Sequence, residues 1–61
     1  MAQYHLYYLN RGMLVGASDI EAADDNDAAA IARREGRGRT VEVWNDHQRL
    51  RVVTPDLLET L

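Results

Sequence analysis

The feature that most constrains this chain is its small size combined with the absence of cysteine. A chain of 61 residues buries only about 60% of the surface that it exposes when unfolded, so its core leaves a thin margin of stability. Chains of this size commonly add disulfides, a metal site or a partner subunit. Because disulfides and cysteine-based metal sites are excluded here, we expect one domain over residues 1–61 that is stabilised by association with another molecule.

The second half of the chain predicts a β-hairpin over residues 39–53, with Asp46 and His47 at its turn. Its two arms fit a register in which the aliphatic residues share one face. The predicted cross-strand pairs are Val43 with Leu50, Val41 with Val52, Trp44 with Arg49, and Glu42 with Arg51. Trp44, the single tryptophan, then points away from the apolar face, where a large aromatic side chain indicates a contact surface.

A first hairpin is predicted over residues 3–22, with Gly12 closing a three-residue loop. The predicted pairs are Leu9 with Met13, Tyr8 with Leu14, Leu6 with Gly16, and Tyr4 with Ser18. One face then carries an apolar layer of Tyr4, Leu6, Tyr8, Leu14 and Ile20, with Gly16 and Ser18 leaving room for a helix. The opposite face carries His5, Tyr7, Leu9, Met13, Val15 and Ala17.

Residues 24–36 have the charge order of a capped helix, with acids at the start, arginines near the end and Gly36 last. Asp24 is the predicted N-cap and Asp27 follows three residues later. The inward stripe is predicted to be Ala28, Ile31 and Ala32. Because only one of these is large, we expect the helix to lie close to the sheet.

The tail over residues 54–61 predicts a short terminal helix, with Thr54 as cap and Pro55 at the first position. Its leucines, Leu57, Leu58 and Leu61, form one apolar stripe. This stripe either covers an open edge of the core or docks on a partner.

The order of elements predicts an α+β fold of the β-β-α-β-β type, with a helix on one face of a four-stranded antiparallel sheet. A right-handed crossover favours the spatial order 2-1-3-4, while the sequence leaves other strand orders open. The second face is then left without a layer, and it carries Tyr7, Leu9, Met13, Val15, Ala17, Trp44 and Val53. We expect another molecule to cover it, either a second copy in a homodimer or an unidentified protein.

The predicted function is therefore that of a non-catalytic interaction or regulatory module. Its predicted contact surface consists of Tyr7, Leu9, Met13, Val15, Trp44 and Arg49. The alternative is a small RNA- or DNA-binding protein that uses Arg37, Arg39, Arg49 and Arg51, with aromatic side chains for stacking. The net charge of −3 argues against that alternative, as do the predicted pairing of Glu42 with Arg51 and a cation–π contact of Arg49 on Trp44.

No catalytic, cofactor or metal site is predicted. The acidic run of Asp19, Glu21, Asp24, Asp25 and Asp27 fits helix capping better than a calcium loop, and His5 and His47 have no ligand partners at metal-site spacing. An enzyme of this size would need a site shared between subunits, where His5, Tyr7 and Arg49 form the available acid–base set. We expect a cytoplasmic protein, because the chain has neither a secretory signal nor the roughly 20 apolar residues that cross a bilayer.

A Glu-aliphatic-Trp strand, Glu42-Val43-Trp44, is followed by Arg49-Leu50, which begins an Arg-aliphatic strand. In this element, and over nearly the whole chain, the sequence resembles a group of short, uncharacterised proteobacterial proteins. The resemblance implies no enzyme class. The strand-strand-helix-strand order is also similar to that of the antitoxin partners of small RNA-cleaving toxins, which is an analogy of fold alone.

Overall fold

The computed structural model describes residues 1–55 of the chain. Its elements are β1 (Ala2–Asn10), β2 (Met13–Ala22), α1 (Asp25–Gly36), β3 (Thr40–Asn45) and β4 (Gln48–Val53). The strands form one antiparallel sheet in the order β2-β1-β3-β4. The predicted fold class and strand order are confirmed. The predicted leucine stripe of Leu57, Leu58 and Leu61 lies outside the described residues.

The core lies between α1 and one face of the sheet. Its buried members are Tyr4, Leu6, Ala22, Ala28, Ala32, Val41, Val43 and Val53. Leu6, Val41 and Val43 are the largest fully buried side chains, and they come from the two central strands. Alternate residues of a strand point to opposite faces, so burial of these positions sends their neighbours to the other side of the sheet.

The helix begins with the predicted cap. The side chain of Asp24 accepts a hydrogen bond of 2.8 Å from the backbone N–H of Asp27, whose own carboxylate accepts one of 2.9 Å from the N–H of Ala23. The first bond satisfies a backbone donor of the first helical turn, and the second satisfies the N–H of the residue before the cap. Arg37 ends the helix in a left-handed conformation, with φ of 52°.

The helix approaches the sheet through small residues spaced four apart. Ala28, Ala32 and Gly36 are buried, and Ile31 packs beside them half-buried. A Cβ atom on Gly36 would lie 2.7 Å from Cγ2 of Val41, closer than real Cβ contacts come. The predicted close approach therefore extends to Gly36, which serves as a contact point as well as the last residue of the helix.

The predicted register of the first hairpin is wrong, because the loop has two residues instead of three. Arg11 and Gly12 have φ of 54° and 79°, the positive values that a tight hairpin turn of the type I′ kind requires. A β-bulge follows, in which Val15 has no partner. The observed pairs include Asn10 with Met13, Leu9 with Leu14, Tyr8 with Gly16, Leu6 with Ser18, and Tyr4 with Ile20.

The corrected register moves two residues to new faces, because a slip of one position reverses the face of a side chain. Leu14 pairs with Leu9 and lies on the face away from the helix, not in the apolar layer next to it. Met13 pairs with Asn10 and is out of phase with Leu9. The space above Gly16 is occupied by the ring of Tyr8, whose hydroxyl lies 2.7 Å from Oγ of Ser18, so these small residues accommodate a tyrosine.

The second hairpin has the predicted turn and the predicted pair of Trp44 with Arg49, but the pairs beyond them are wrong. A bulge leaves Leu50 without a partner, so the register shifts by one residue. The observed pairs are Val43 with Arg51, Glu42 with Val52, and Val41 with Val53. Val53 is therefore buried in the core and Val52 is exposed on the opposite face, the reverse of the prediction.

Candidate interaction surface

The sheet face opposite α1, here called the outer face, is built from rows of side chains that run across the strands. One row contains Ala17, Tyr7, Glu42 and Val52, and the next contains Asp19, His5, Trp44 and Arg49, each in the order β2-β1-β3-β4. A third, shorter row contains Leu14, Leu9 and Thr40. The alternation of the strands places these residues together, because their neighbours along the chain fill the core.

An aromatic pair stands at the centre of the outer face. The rings of Tyr7 and Trp44 have centroids 5.9 Å apart and planes at 89°, an edge-to-face arrangement. The indole Nε1 of Trp44 donates a hydrogen bond of 2.9 Å to Oε1 of Glu42. Because this bond satisfies the polar atom of the indole, an apolar contact to the rest of the ring leaves no donor unpaired.

Glu42 connects the tryptophan to the edge strand. Its second oxygen, Oε2, lies 3.5 Å from Nη1 of Arg49, and its side chain is only 22% exposed against 56% for Arg49. The guanidinium group therefore pairs with Glu42, which was predicted to face Arg51. Within residues 1–55 the predicted cation–π contact of Arg49 on Trp44 is not found, and the aromatic partner of Trp44 is Tyr7.

An open cavity of about 430 Å³ crosses the outer face beside the aromatic pair. It is lined by Tyr7, Leu9, Leu14, Glu42, Trp44, Asp46 and His47. Its walls are mostly apolar, and its charged members are carboxylates. The lining residues absent from the predicted contact surface are Leu14, Glu42, Asp46 and His47. The Arg11-Gly12 dipeptide is the sequence signal for the tight turn that brings Leu14 to this face.

The structure places four of the six predicted surface residues on the outer face, namely Tyr7, Leu9, Trp44 and Arg49. The other two lie elsewhere. Met13 is 70% exposed opposite Asn10, and Val15 is 51% exposed in the bulge. The two-residue turn and the bulge explain both differences, and Leu14 and Val52 take their places on this face.

The three residues considered as an acid–base set have separate partners. Nδ1 of His5 lies 2.7 Å from Oδ1 of Asp19, Tyr7 contacts Trp44, and Arg49 pairs with Glu42. Across the described part of the chain, no three His, Asp or Glu side chains are grouped so that they could hold a metal ion.

The four arginines of the nucleic-acid alternative do not share a surface. Arg37 and Arg39 are exposed in the loop between α1 and β3. Arg49 lies on the outer face, whereas Arg51 pairs with Val43 and so belongs to the face that carries the helix. The prediction that Arg49 and Arg51 line the outer face together is wrong, because the bulge at Leu50 separates them.

Comparison of the chain with protein-family models, curated proteins and solved structures finds no match. The resemblance to short proteobacterial proteins stays a prediction. Among the helices of residues 1–55, none has the length and apolar character needed to cross a membrane.

Proposed function

We propose that the protein is a non-catalytic interaction module that forms a homodimer, with a second copy of the chain covering the outer face. The observation that carries this proposal is the one-sided covering of the sheet. The helix packs on one face, while Tyr7, Leu9, Leu14, Trp44 and Val52 lie on the other with no further layer from residues 1–55 above them.

The energetic argument follows from the size of the core. Within residues 1–55, three side chains larger than alanine are fully buried, namely Leu6, Val41 and Val43, so this part of the chain gains little from its own interior. Leu14 is 63% exposed and Val52 is 47% exposed on the outer face. Covering apolar surface contributes about 25 cal/mol per Å², and association stabilises the folded chain because only the folded form binds.

A second copy is the occupant that we favour, because two-fold homodimers are the commonest small assemblies. We place this dimer in the cytoplasm, since a fold without cysteine has no need of an oxidising compartment. A different protein on the same face would appear as a monomeric chain that gains mass only in the presence of its partner.

RNA or DNA binding, including an antitoxin-like role, receives less support from the geometry. Arg51 lies away from the aromatic pair, and Arg49 is paired with Glu42. The charged side chains that line the cavity beside Trp44 are the carboxylates of Glu42 and Asp46. Oligonucleotide binding that weakens steeply with added salt would favour this alternative over our proposal.

A substitution that introduces a charged side chain on the outer face tests whether this face forms the dimer interface. Val52→Lys puts an ammonium opposite Glu42, where the isolated fold tolerates it, but also inside the proposed interface. We expect sedimentation to show that this variant is a monomer under conditions where the unmodified chain is a dimer.

The matched control is Met13→Lys, at a position that is also exposed but is not on the outer face. We expect it to remain a dimer. If both variants or neither variant dissociates, the outer face is not the interface.

A further inference from the structure

We infer that the two copies pack with their two-fold axis parallel to the strands, so that Arg49 of each copy pairs with Asp19 of the other. This inference rests on the proposed homodimer and specifies its geometry. It follows from the order of charges along one row of the outer face.

That row runs across all four strands and has opposite charges at its ends. Asp19 is on edge strand β2, His5 and Trp44 occupy the central strands, and Arg49 is on edge strand β4. The side chains of Asp19 and Arg49 are 75% and 56% exposed, so both remain accessible to a second molecule despite their contacts within the chain.

Symmetry decides which charges meet. When two identical sheets pack face to face, the two-fold axis lies in the plane between them. The direction of this axis determines which residue of the second copy lies opposite a given residue of the first. An axis parallel to the strands and midway between β1 and β3 exchanges β2 with β4 and keeps each row opposite itself. Arg49 then meets Asp19, and Trp44 meets His5.

An axis perpendicular to the strands gives the opposite result. It places β2 against β2 and β4 against β4, so Arg49 and Asp19 lie at opposite edges and cannot meet. Where the axis runs along this row, Asp19 meets Asp19 and Arg49 meets Arg49. Like charges across an interface are unfavourable and opposite charges fix its register. The charge order of the row therefore favours the parallel axis.

The neighbouring row fits the same axis. It brings Ala17 opposite Val52 and Tyr7 opposite Glu42, so a small side chain faces a branched one and a phenol faces a carboxylate. The strands of two packed sheets cross at about 30°. Because the edge strands lie about 7 Å from the axis, this rotation displaces Arg49 sideways from the facing Asp19 by roughly 4 Å. An arginine side chain spans that displacement.

Site-directed cross-linking tests the axis directly, because the chain has no cysteine of its own. Ala17→Cys and Val52→Cys are prepared as separate proteins, refolded together and treated with a short bifunctional maleimide. Packed sheets lie about 10 Å apart, too far for a direct disulfide, whose Cα atoms are about 4.4–6.8 Å apart. We expect efficient cross-linking in the mixture and little in either variant alone.

Arg33→Cys, on the exposed side of α1, measures cross-linking by random collision. Cross-linking of Ala17→Cys or Val52→Cys with itself, above this background, would overturn the inferred axis and leave the dimer standing. A monomer in sedimentation would instead overturn the proposed function.

Charge exchange provides a second readout. Asp19→Arg and Arg49→Asp each turn two attractions per dimer into repulsions, and we expect each to weaken dimerisation by at least about tenfold. The combined variant exchanges the charges and restores the intermolecular pairs. Each substitution also removes a contact within its own chain, that of Asp19 with His5 or that of Arg49 with Glu42. The free-energy costs of losing these two contacts are expected to add in the combined variant. Recovery of the dimer in that variant therefore indicates that the two charges meet between copies.

Circular dichroism and sedimentation are measured on all three variants to separate folding from association. A combined variant that is folded but dimerises less well than either single variant would contradict the pairing of Arg49 with Asp19.

Discussion

At the scale of single residues, the absence of a side chain at Gly36 lets the last turn of α1 approach the sheet closely. Gly36 lies where the last turn of α1 meets Val41 of the central strand β3. Its φ is not positive, so the requirement for glycine is one of space and not of backbone conformation. Glycine at the end of a helix is usually explained by its conformational freedom, whereas here Arg37 takes the left-handed position.

We therefore predict that Gly36→Ala lowers the free energy of unfolding by about 1–3 kcal/mol, since the new methyl group overlaps Val41 and pushes the helix from the sheet. Gly16→Ala is the matched control. Its Cβ would lie 3.5 Å from the Tyr8 ring, an ordinary contact, and we expect little change. Urea denaturation measures both. Equal stability of the two variants would contradict the close approach.

Tyr4 is a second residue whose surroundings have a measurable effect. It is 3% exposed in the core, and its hydroxyl donates a hydrogen bond of 2.9 Å to Oδ1 of Asp25 at the start of α1. Burial raises the pKa of Tyr4 above its ordinary value of 10.0, and the hydrogen bond and negative charge of Asp25 raise it further. The bond also ties strand β1 to the first turn of the helix.

The direction of the pH dependence follows from that raised pKa. As the pH rises above 10.0, the phenol of the unfolded chain loses its proton before that of the folded chain. The contribution to stability is complete below that pH and is lost as the pH rises through the folded pKa. We predict that Tyr4→Phe removes this part of the alkaline loss and lowers the free energy of unfolding at neutral pH, because the hydrogen bond to Asp25 is lost. Urea denaturation across this pH range measures both, and an unchanged alkaline slope would contradict the assignment to Tyr4.

At the scale of elements, the helix follows closely from local sequence and the hairpins do so less well. Asp24 and Asp27 indicate the start of α1, because the hydrogen bonds of a helix cap join residues only three or four positions apart in the sequence. The register of each hairpin, in contrast, changes when its turn or a bulge contains one additional residue. Val15 and Leu50 have no partners, and neither differs in type from an ordinary strand residue, so the sequence carries no local signal for either bulge.

The one-residue register shifts at Val15 and Leu50 determine which residues lie on the outer face. Tyr7, Leu9 and Trp44 were predicted correctly, because the alternation of central strands is enforced by their buried neighbours. The bulge at Leu50 exchanged the roles of Val52 and Val53. Because both residues are valine, the sequence pattern did not indicate which of the two is buried.

The helix cap provides a test at this scale. We predict that Asp24→Ala lowers the free energy of unfolding by about 1 kcal/mol, since the N–H of Asp27 loses its acceptor. Asn26→Ala changes an exposed residue in the same turn and is expected to have a smaller effect. Thermal or urea denaturation followed by circular dichroism measures both. A cost at Asn26 equal to that at Asp24 would show that the cap bond is not the cause.

At the scale of the whole molecule, the fold is a two-layer structure with one layer on each side of a small core. The sheet presents to the outside an aromatic pair, a mostly apolar cavity and a row that runs from an acid at one edge to an arginine at the other. In the dimer that we propose, a second copy on this face would cover the apolar surface and pair the edge charges, so that the same surface would contribute to both stability and association.

The most direct test of this account is the mass of the unmodified chain in solution, measured by sedimentation equilibrium over a wide range of concentrations. The account predicts twice the monomer mass of 6.9 kDa at micromolar concentrations and above, with dissociation on dilution. A mass of 6.9 kDa that persists to high micromolar concentration would contradict the claim that a second copy covers the outer face.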